Sequence, residues 1–298
     1  MSDSSANLLH KIAGAQNLKS VVTTMKNIAA SSVGQYEKSV QALNEYHHSI
    51  TLGLGACFRA HPSPRQYQET TQELQQKRSV VIVFGSDQGL VGQFNDVVSS
   101  LAAQNIATFK TKPELFAVGE RVAISLVDLH MPPKQTFIVP PSIRGIARLI
   151  GSILEASEFD KPHQERNELY LFYNCLRKGA QYEPVCQRLL PFDDAWQSQM
   201  ESEPWPSKLL PEILGGEDTL HALIREFLFV SLFKASAESL ASENASRLAS
   251  MQRAEKSITE LLDTMNADFY RLRQARIDEE LFDVVSGFEA LQTEGSHD

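Results

Sequence analysis

The first sixty residues carry one hydrophobic stripe at helical spacing. Apolar side chains recur every three or four positions from Leu8 to Ile50, and the first proline is Pro62. Steps of three and four place side chains on one face of an α-helix. This pattern predicts one long amphipathic helix over residues 1–60. Gly34 is its weakest point, because glycine lowers helix stability.

The middle of the chain alternates between strand and helix patterns. Short apolar runs rich in β-branched and aromatic residues predict strands at Ser79–Phe84, Leu115–Val118, Thr136–Val139, Leu169–Tyr173 and Val185–Leu190. Helical patterns lie between them, at Asn95–Ile106, Arg121–Leu129 and Ser142–Ser157. Alternation of this kind predicts a mostly parallel sheet covered on both faces. We therefore expect an α/β domain over residues 77–192.

A polar, proline-containing segment predicts a loop over residues 193–216, and the C-terminal third follows it. From Glu217 to Ser286 there is neither glycine nor proline, and apolar residues recur at helical spacing. A helix over residues 217–291 would be roughly 100 Å long, whereas a compact body of this size has a radius of gyration of about 19 Å. Such a helix must project as a rod, and its apolar stripe needs a partner. The N-terminal helix is the obvious partner, in an antiparallel coiled coil.

Composition and charge exclude several function classes. The chain has 28 basic and 37 acidic residues, a net charge of −9, which disfavours a general nucleic-acid binder. Its three cysteines, Cys57, Cys175 and Cys186, lack metal-site or disulfide-scaffold spacing, so we expect each to be a small apolar filler. No apolar stretch approaches 18–20 residues, so we expect membrane contact only through partners.

The glycines Gly85, Gly89 and Gly92 lie between a strand and a helix, where backbone amides can bind phosphate. Their spacing matches no phosphate-binding motif, so a tight turn is the better interpretation. The histidines are scattered, and no nucleophile motif occurs. We expect no catalytic, cofactor-binding or metal-binding residues. Two hypotheses stay open: a Rossmann-like nucleotide-binding enzyme with coiled-coil dimerisation arms, and a coiled-coil scaffold.

Three segments together resemble the gamma subunit of F-type ATP synthases, in order and spacing over nearly the whole chain. They are Ile12–Asn17 with Met25–Ser31, then Phe84–Asn95, and finally Glu238–Met251 with Tyr270–Leu281. The last segment is the most specific.

The resemblance implies a fold and a role. The fold is an antiparallel coiled coil of the terminal helices with an inserted Rossmann-like domain. The role is that of a non-catalytic central-stalk rotor, which couples ion-driven ring rotation to ATP synthesis or hydrolysis in the alpha/beta hexamer. Its implied partners are the alpha, beta and epsilon subunits and the membrane c-ring. Its implied location is peripheral, on the cytoplasmic face of the bacterial inner membrane.

The resemblance also implies roles for single residues. Arg273 and Gln274 match an Arg-Gln pair that meets a loop of a beta subunit, and Met25 matches a methionine at that same contact level. Glu203 falls where the family contacts the ring, in the loop near the ring-binding foot. The competing interpretations are a solvated helix face, ordinary coiled-coil packing and a solvated loop carboxylate, respectively.

Two positions depart from the family pattern. Ser32 stands where a basic residue is usual, and Gln88 replaces the usual arginine of the middle segment. These departures favour a divergent branch, such as the alternative sodium-type bacterial ATPases. The sequence leaves open whether protons or sodium ions drive the ring.

Overall fold

The computed structural model describes residues 2–60, 78–109, 111–159, 167–177, 181–192 and 216–294, with positions 196, 200, 205–206 and 212–213. The helices are Ser2–Ala60 (α1), Phe94–Ile106 (α2), Glu120–Asp128 (α3), Ile143–Ser157 (α4) and Gly216–Glu294 (α5). The strands are Ser79–Phe84 (β1), Glu114–Val118 (β2), Gln135–Phe137 (β3), Glu168–Arg177 (β4) and Gln181–Leu190 (β5). The chain divides into two compact units, residues 29–247 and residues 1–28 with 248–298.

The long helices expected at the two ends of the chain are present. α5 is one uninterrupted helix of 79 residues, and α1 continues through Gly34 for 59 residues in all. Both helices lack proline, which would remove a backbone donor and clash with the preceding turn. The boundaries between the two units fall inside these helices, at residues 28–29 and 247–248.

The unit of residues 29–247 contains a mixed five-stranded sheet in the order β3-β2-β1-β4-β5. The first four strands are parallel, as expected, and β5 is antiparallel to β4. β3 ends at Phe137, two residues before the expected Val139. The reason is that the Val139 N–H donates to Asp87 Oδ2 at 2.8 Å and not to a neighbouring strand.

Alternate residues of β1 face two separate hydrophobic clusters. Val80, Ile82 and Phe84 belong to the larger cluster, whereas Val81 and Val83 belong to the smaller one. The larger cluster also holds buried side chains of α4, α1 and α5, and the smaller one holds those of α2 and α3. The sheet is therefore covered on both faces, which is why every β1 side chain is buried.

The unit of residues 1–28 and 248–298 is a pair of antiparallel helix segments. Thr23 Oγ1 and Lys26 Nζ both contact the Glu255 carboxylate, at 2.8 and 2.7 Å. Earlier residues of α1 meet later residues of α5 in a groove lined by Asn7, Leu8, Lys11, Asp268, Arg271 and Leu272. The buried apolar side chains of this unit are Ile12, Val22, Met251 and Leu262.

The cysteines are all free thiols, and only one of them is fully buried. Cys57 fills the core as expected. Cys186 is exposed, so its expected role as an apolar filler is wrong. It lies on β5, which has a neighbouring strand on one side only, and this edge position leaves the side chain open to solvent.

Candidate functional site

The segment Gly85–Gln93, here called the β1 loop, packs closely against the start of α3. A Cβ on Gly85 would lie 2.3 Å from the Val122 Cβ, so no side chain fits there. Gly119 has a φ of +118°, and a Cβ on it would lie 2.7 Å from the Ser86 carbonyl oxygen. Glycine is required at both positions because a side chain would force the loop and helix apart.

Two buried polar side chains fix the turn of the β1 loop. Asn95 Oδ1 accepts a hydrogen bond from the Ser86 N–H at 3.0 Å, and Asn95 Nδ2 donates to Ser86 Oγ at 2.9 Å. Ser86 Oγ donates in turn to the Gln88 carbonyl at 2.9 Å. These bonds satisfy polar groups that would otherwise be buried without partners, so they hold the loop in one conformation.

Asp87 joins the β1 loop to the start of α3 and to the segment that follows β3, at the same edge of the sheet. Its Oδ1 accepts from the Glu120 N–H at 3.0 Å, in the first turn of α3, and its Oδ2 accepts from Val139. A carboxylate is favourable at a helix N-terminus because the amide groups there carry partial positive charge. Asp87 and Asn95 thus engage amide groups of this edge internally, which favours the tight-turn interpretation over phosphate binding.

One row of α5 side chains, Glu238, Ser242 and Ser246, docks on this edge of the sheet. We call this row the docking ridge; its members are four residues apart and therefore lie on one face of the helix. Ser242 Oγ donates to the Asn174 carbonyl at 2.9 Å, and Ser246 Oγ donates to the Val91 carbonyl at 2.5 Å. The docking ridge thus contacts both β4 and the β1 loop.

The third member of the docking ridge, Glu238, acts on the end of β4. Burial, together with the charge and hydrogen bonding of the Glu238 carboxylate, raises the pKa of the Cys175 thiol to about 11. Burial and Glu238 also raise the pKa of Tyr173. Glu238 thus acts electrostatically on two side chains of β4, whereas Ser242 and Ser246 make the hydrogen bonds of the docking ridge.

Small side chains beside the docking ridge allow this close approach. The buried alanines and serines of α5 here are Ala235, Ser236, Ala237, Ser239, Ala241 and Ala245. The sequence alone did not distinguish close packing from simple helix propensity in this segment. The burial of the segment shows close packing, because residues 239–246 are all buried.

A buried ion pair lies next to the docking ridge. Arg247 Nη2 and Glu243 Oε1 are 2.6 Å apart, and Glu243 is only 6% exposed. Burial raises the pKa of Glu243, Arg247 opposes this effect, and Asp87 of the β1 loop adds to it. Glu243 also contributes to the raised pKa of Tyr36 on α1. The pair therefore interacts with the β1 loop and with α1.

Sequence patterns did not identify Asp87, Asn174 or the docking ridge as structural contacts. Asn174 is fully buried, and its Nδ2 donates to the Phe94 carbonyl at 2.9 Å. A polar residue at the end of an apolar strand was the available signal. Serines spaced by four residues in an alanine-rich helix were a second signal.

The proposed beta-subunit contact residues, Arg273 and Gln274, are exposed on α5. The neighbouring Arg271 and Arg276 each pair with an acidic residue of the same helix, Asp268 or Glu280. Within the described part of the chain, Arg273 has no such pair. Its guanidinium is thus open to solvent, as a contact with a partner would require.

Met25, the other residue proposed for the beta-subunit contact, lies on α1. Met25 is half-buried, and its neighbours Thr23 and Lys26 contact Glu255. Glu255 precedes Arg273 by about 27 Å along α5, at 1.5 Å per residue. Glu203 lies outside the described residues.

Comparison with known proteins identifies the family. The model of the ATP synthase family matches residues 4–291. The ATP synthase gamma chain of Polynucleobacter necessarius is 25% identical over 287 residues, covering 94% of this chain and 97% of that one. That of Geobacter sp. strain M21 is 24% identical over 296 residues, covering 95% and 96%. This chain belongs to the gamma-chain family of F-type ATP synthases.

Solved structures agree with the gamma-chain fold. A chain of the Euglena gracilis mitochondrial ATP synthase, from an assembly of OSCP, F1 and c-ring, matches with a TM-score of 0.61 at 15% identity, covering 98% of this chain and 95% of that one. A chain of the Tetrahymena thermophila central stalk and c-ring matches with a TM-score of 0.53 at 18% identity, covering 78% and 99%. As a gamma chain, this protein is a central-stalk, or rotor, subunit. The nucleotide-binding enzyme alternative is not favoured.

The described residues form neither a membrane span nor a metal-binding cluster. None of the helices in the described ranges is long and apolar enough to cross a bilayer. Among the same residues, no group of three or more histidine, cysteine, aspartate or glutamate side chains could hold a metal ion.

Proposed function

We propose that this gamma chain couples rotation of an ion-carrying membrane ring to ATP synthesis or hydrolysis in an alpha/beta hexamer, and that it has no catalytic site itself. The observation that carries the proposal is the last part of α5. Residues 271–286 continue one helix, and their side chains are all exposed. They include large apolar side chains, such as Leu281, Phe282 and Val285. A helix end of this kind is suited to insertion into a partner.

The coupling itself is a linkage between distant sites. A rotor without three-fold symmetry contacts each of three beta subunits differently at any one angle. These differential contacts would favour a different conformation of each beta subunit, and therefore a different nucleotide affinity. Turning the rotor would then move these conformations from one beta subunit to the next.

The antiparallel coiled coil and the Rossmann-like character of the domain belong to this proposal. The contacts of Glu255 with Thr23 and Lys26 support helix pairing along an extended interface. The parallel strands β1 to β4, with helices on both faces, support the Rossmann-like description. Within this arrangement, residues 193–216 would belong to the foot that binds the c-ring, with Glu203 as a contact.

We assign the partner contacts as follows. The exposed Arg273 and Gln274 would bind a loop of a beta subunit, since a guanidinium can donate several hydrogen bonds to carboxylates or carbonyls. Met25 would contribute to the same beta-subunit contact from α1. An epsilon subunit would bind beside the α/β domain. The subunit would be peripheral, at the cytoplasmic face of a bacterial inner membrane.

Co-expression with alpha and beta subunits tests the proposal. We expect the purified gamma chain alone to hydrolyse no ATP, and we expect it to co-purify with an ATP-hydrolysing alpha/beta hexamer. ATP turnover proportional to the amount of gamma chain alone would support the enzyme alternative. A stable chain that never associates with the hexamer would support the scaffold alternative.

A further inference from the structure

The docking ridge connects the part of the chain that continues into the α5 tip with the α/β domain. Glu238, Ser242 and Ser246 span about 12 Å of the helix, at 1.5 Å per residue. Their partners are rigid: the end of β4, held by β1 and β5, and the β1 loop, held by Asn95 and Asp87. Each contact in the ridge therefore joins α5 to a backbone that cannot easily follow a moving helix.

Without the docking ridge, the neighbouring side chains of α5 would only weakly resist rotation or sliding of this helix against the α/β domain. Most buried side chains of α5 beside the ridge are alanine or serine, with Leu240 the large apolar one in the core, so interlocking of side chains there is limited. Hydrogen bonds are directional, and two of them at different heights fix both the rotation and the axial position of a helix. The Ser242 and Ser246 bonds lie one turn apart and meet two different partners.

We propose that Ser242 and Ser246 form a clamp that transmits torque between α5 and the α/β domain. This inference rests on the proposed rotor function. Under load, the hexamer turns α5 while the ring resists rotation of the domain. The clamp keeps the two together, so that each ATP hydrolysed moves a fixed number of ions. These are positioning residues, because they touch neither nucleotide nor ion.

The chain provides a matched control for this clamp. Ser239 is also a buried serine of α5, but its Oγ has no hydrogen-bond partner within the described part of the chain. Ser239→Ala therefore removes the same atoms at similar burial without breaking a bond. Ser242→Ala and Ser246→Ala each remove a hydroxyl donor from a backbone carbonyl, and the Val91 carbonyl keeps only the longer bond from the Phe94 N–H, at 3.4 Å. At about 1 kcal/mol per bond, the double substitution should raise the undocked fraction roughly thirtyfold.

The experiment measures ions pumped per ATP by the complete membrane complex, as a function of the opposing ion gradient. We expect the unmodified complex and Ser239→Ala to keep a constant ratio over the range of gradients. We expect Ser242→Ala/Ser246→Ala to keep that ratio at low gradient and lose it at a gradient that the unmodified complex still sustains. Its ATP hydrolysis without a gradient should stay within about twofold of the unmodified rate, because an unloaded clamp bears no torque.

Coincident curves for the double variant and the unmodified complex would overturn the clamp. If Ser239→Ala lowered the number of ions pumped per ATP by the same amount, the clamp would also be overturned. Any substitution at this interface would then cause the loss, whether or not it breaks a hydrogen bond. If the double variant does not assemble into the complex, Ser242→Ala and Ser246→Ala are each compared with Ser239→Ala in the same pumping measurement. Failure of the unmodified complex to pump at all would instead contradict the proposed rotor function.

Discussion

At the residue scale, single side chains at the sheet edge hold several loops together. Asp87 receives backbone N–H groups from two other loops, and Asn95 fixes the β1 loop from within. These residues lie within Phe84–Asn95, one of the segments that resemble the gamma family. The structure explains why this segment needs its glycines and polar residues. The glycines of the segment allow close approach, and its polar side chains satisfy the backbone that the close approach buries.

Replacing Asp87 should destabilise the full-length chain. Asp87→Ala leaves the amides of Glu120 and Val139 without their acceptor, and we expect a loss of about 1–3 kcal/mol in the free energy of unfolding. Asp87→Asn should lose less, because its amide oxygen can still accept one of these bonds. Urea denaturation of both variants measures the effect. Asp128→Ala, an exposed aspartate at the end of α3, is the control, and an equal loss in that variant would contradict the role of Asp87.

Glu114 should make stability depend on acid pH. Its hydrogen bond with Arg78, helped by Lys134 at 2.6 Å, lowers the pKa of Glu114 from 4.5 to about 2. A lowered carboxyl pKa contributes stability above pH 4.5, and this contribution is lost as the pH falls from 4.5 towards 2. We expect Glu114→Gln to be about 1–2 kcal/mol less stable at pH 7.

The difference between Glu114→Gln and the unmodified chain should then shrink as the pH falls below 4.5. Denaturant midpoints at pH 7, 4 and 3 test this expectation. Glu260→Gln is the control, since Glu260 forms only an exposed pair with Lys256 at 3.9 Å, and such pairs contribute little. A Glu114→Gln difference that does not change with pH would show that the ion pair is not its source.

At the element scale, the two units use their helices differently. Within residues 29–247, α5 is buried against the sheet edge and contributes to its larger hydrophobic cluster. Beyond Met265, its side chains are half-buried and then fully exposed. The last part of α5 therefore adds nothing to the core of the α/β domain.

Removing the residues after Leu272 should therefore separate coupling from folding. We expect the truncated chain to keep the protease resistance of its α/β domain, because no side chain of residues 273–286 is buried. We expect ATP-driven ion pumping by the complete complex to fall severalfold, because the proposed beta-subunit contacts are removed. Limited proteolysis and a pumping assay measure the two effects. Loss of protease resistance would contradict the independence of the domain from the helix tip.

At the scale of the whole molecule, simple periodic patterns predicted most of the elements. The apolar stripes of α1 and α5 and the β-branched run of β1 are long or strongly biased, so local sequence determines them. The direction of β5 and the end of β3 were not predictable in this way. They depend on partners distant in sequence, such as Asp87 for Val139. Hydrophobic periodicity predicts which side chains are buried, but it does not predict which polar atoms form hydrogen bonds with each other.

The same limit applies to the candidate site. Arg273 and Gln274 were predicted as contact residues only from the family resemblance. Helix periodicity does not distinguish one exposed arginine from another. The register of α1 against α5, with Thr23 and Lys26 at Glu255, also required the structure. Ser242 and Ser246 differ from Ser239 only in what their hydroxyl groups meet. That difference is invisible in a chain of similar small residues.

The carboxylate of Asp87 supplies, from within the chain, the acceptor for two backbone N–H groups at the ends of the strands. In a domain that binds a nucleotide, such loops tighten and relax as the ligand comes and goes, because only the occupied state is stabilised. Here the anion is covalently part of the chain, so its local concentration never changes. We therefore expect the stiffness of these loops not to depend on the nucleotide concentration around the protein.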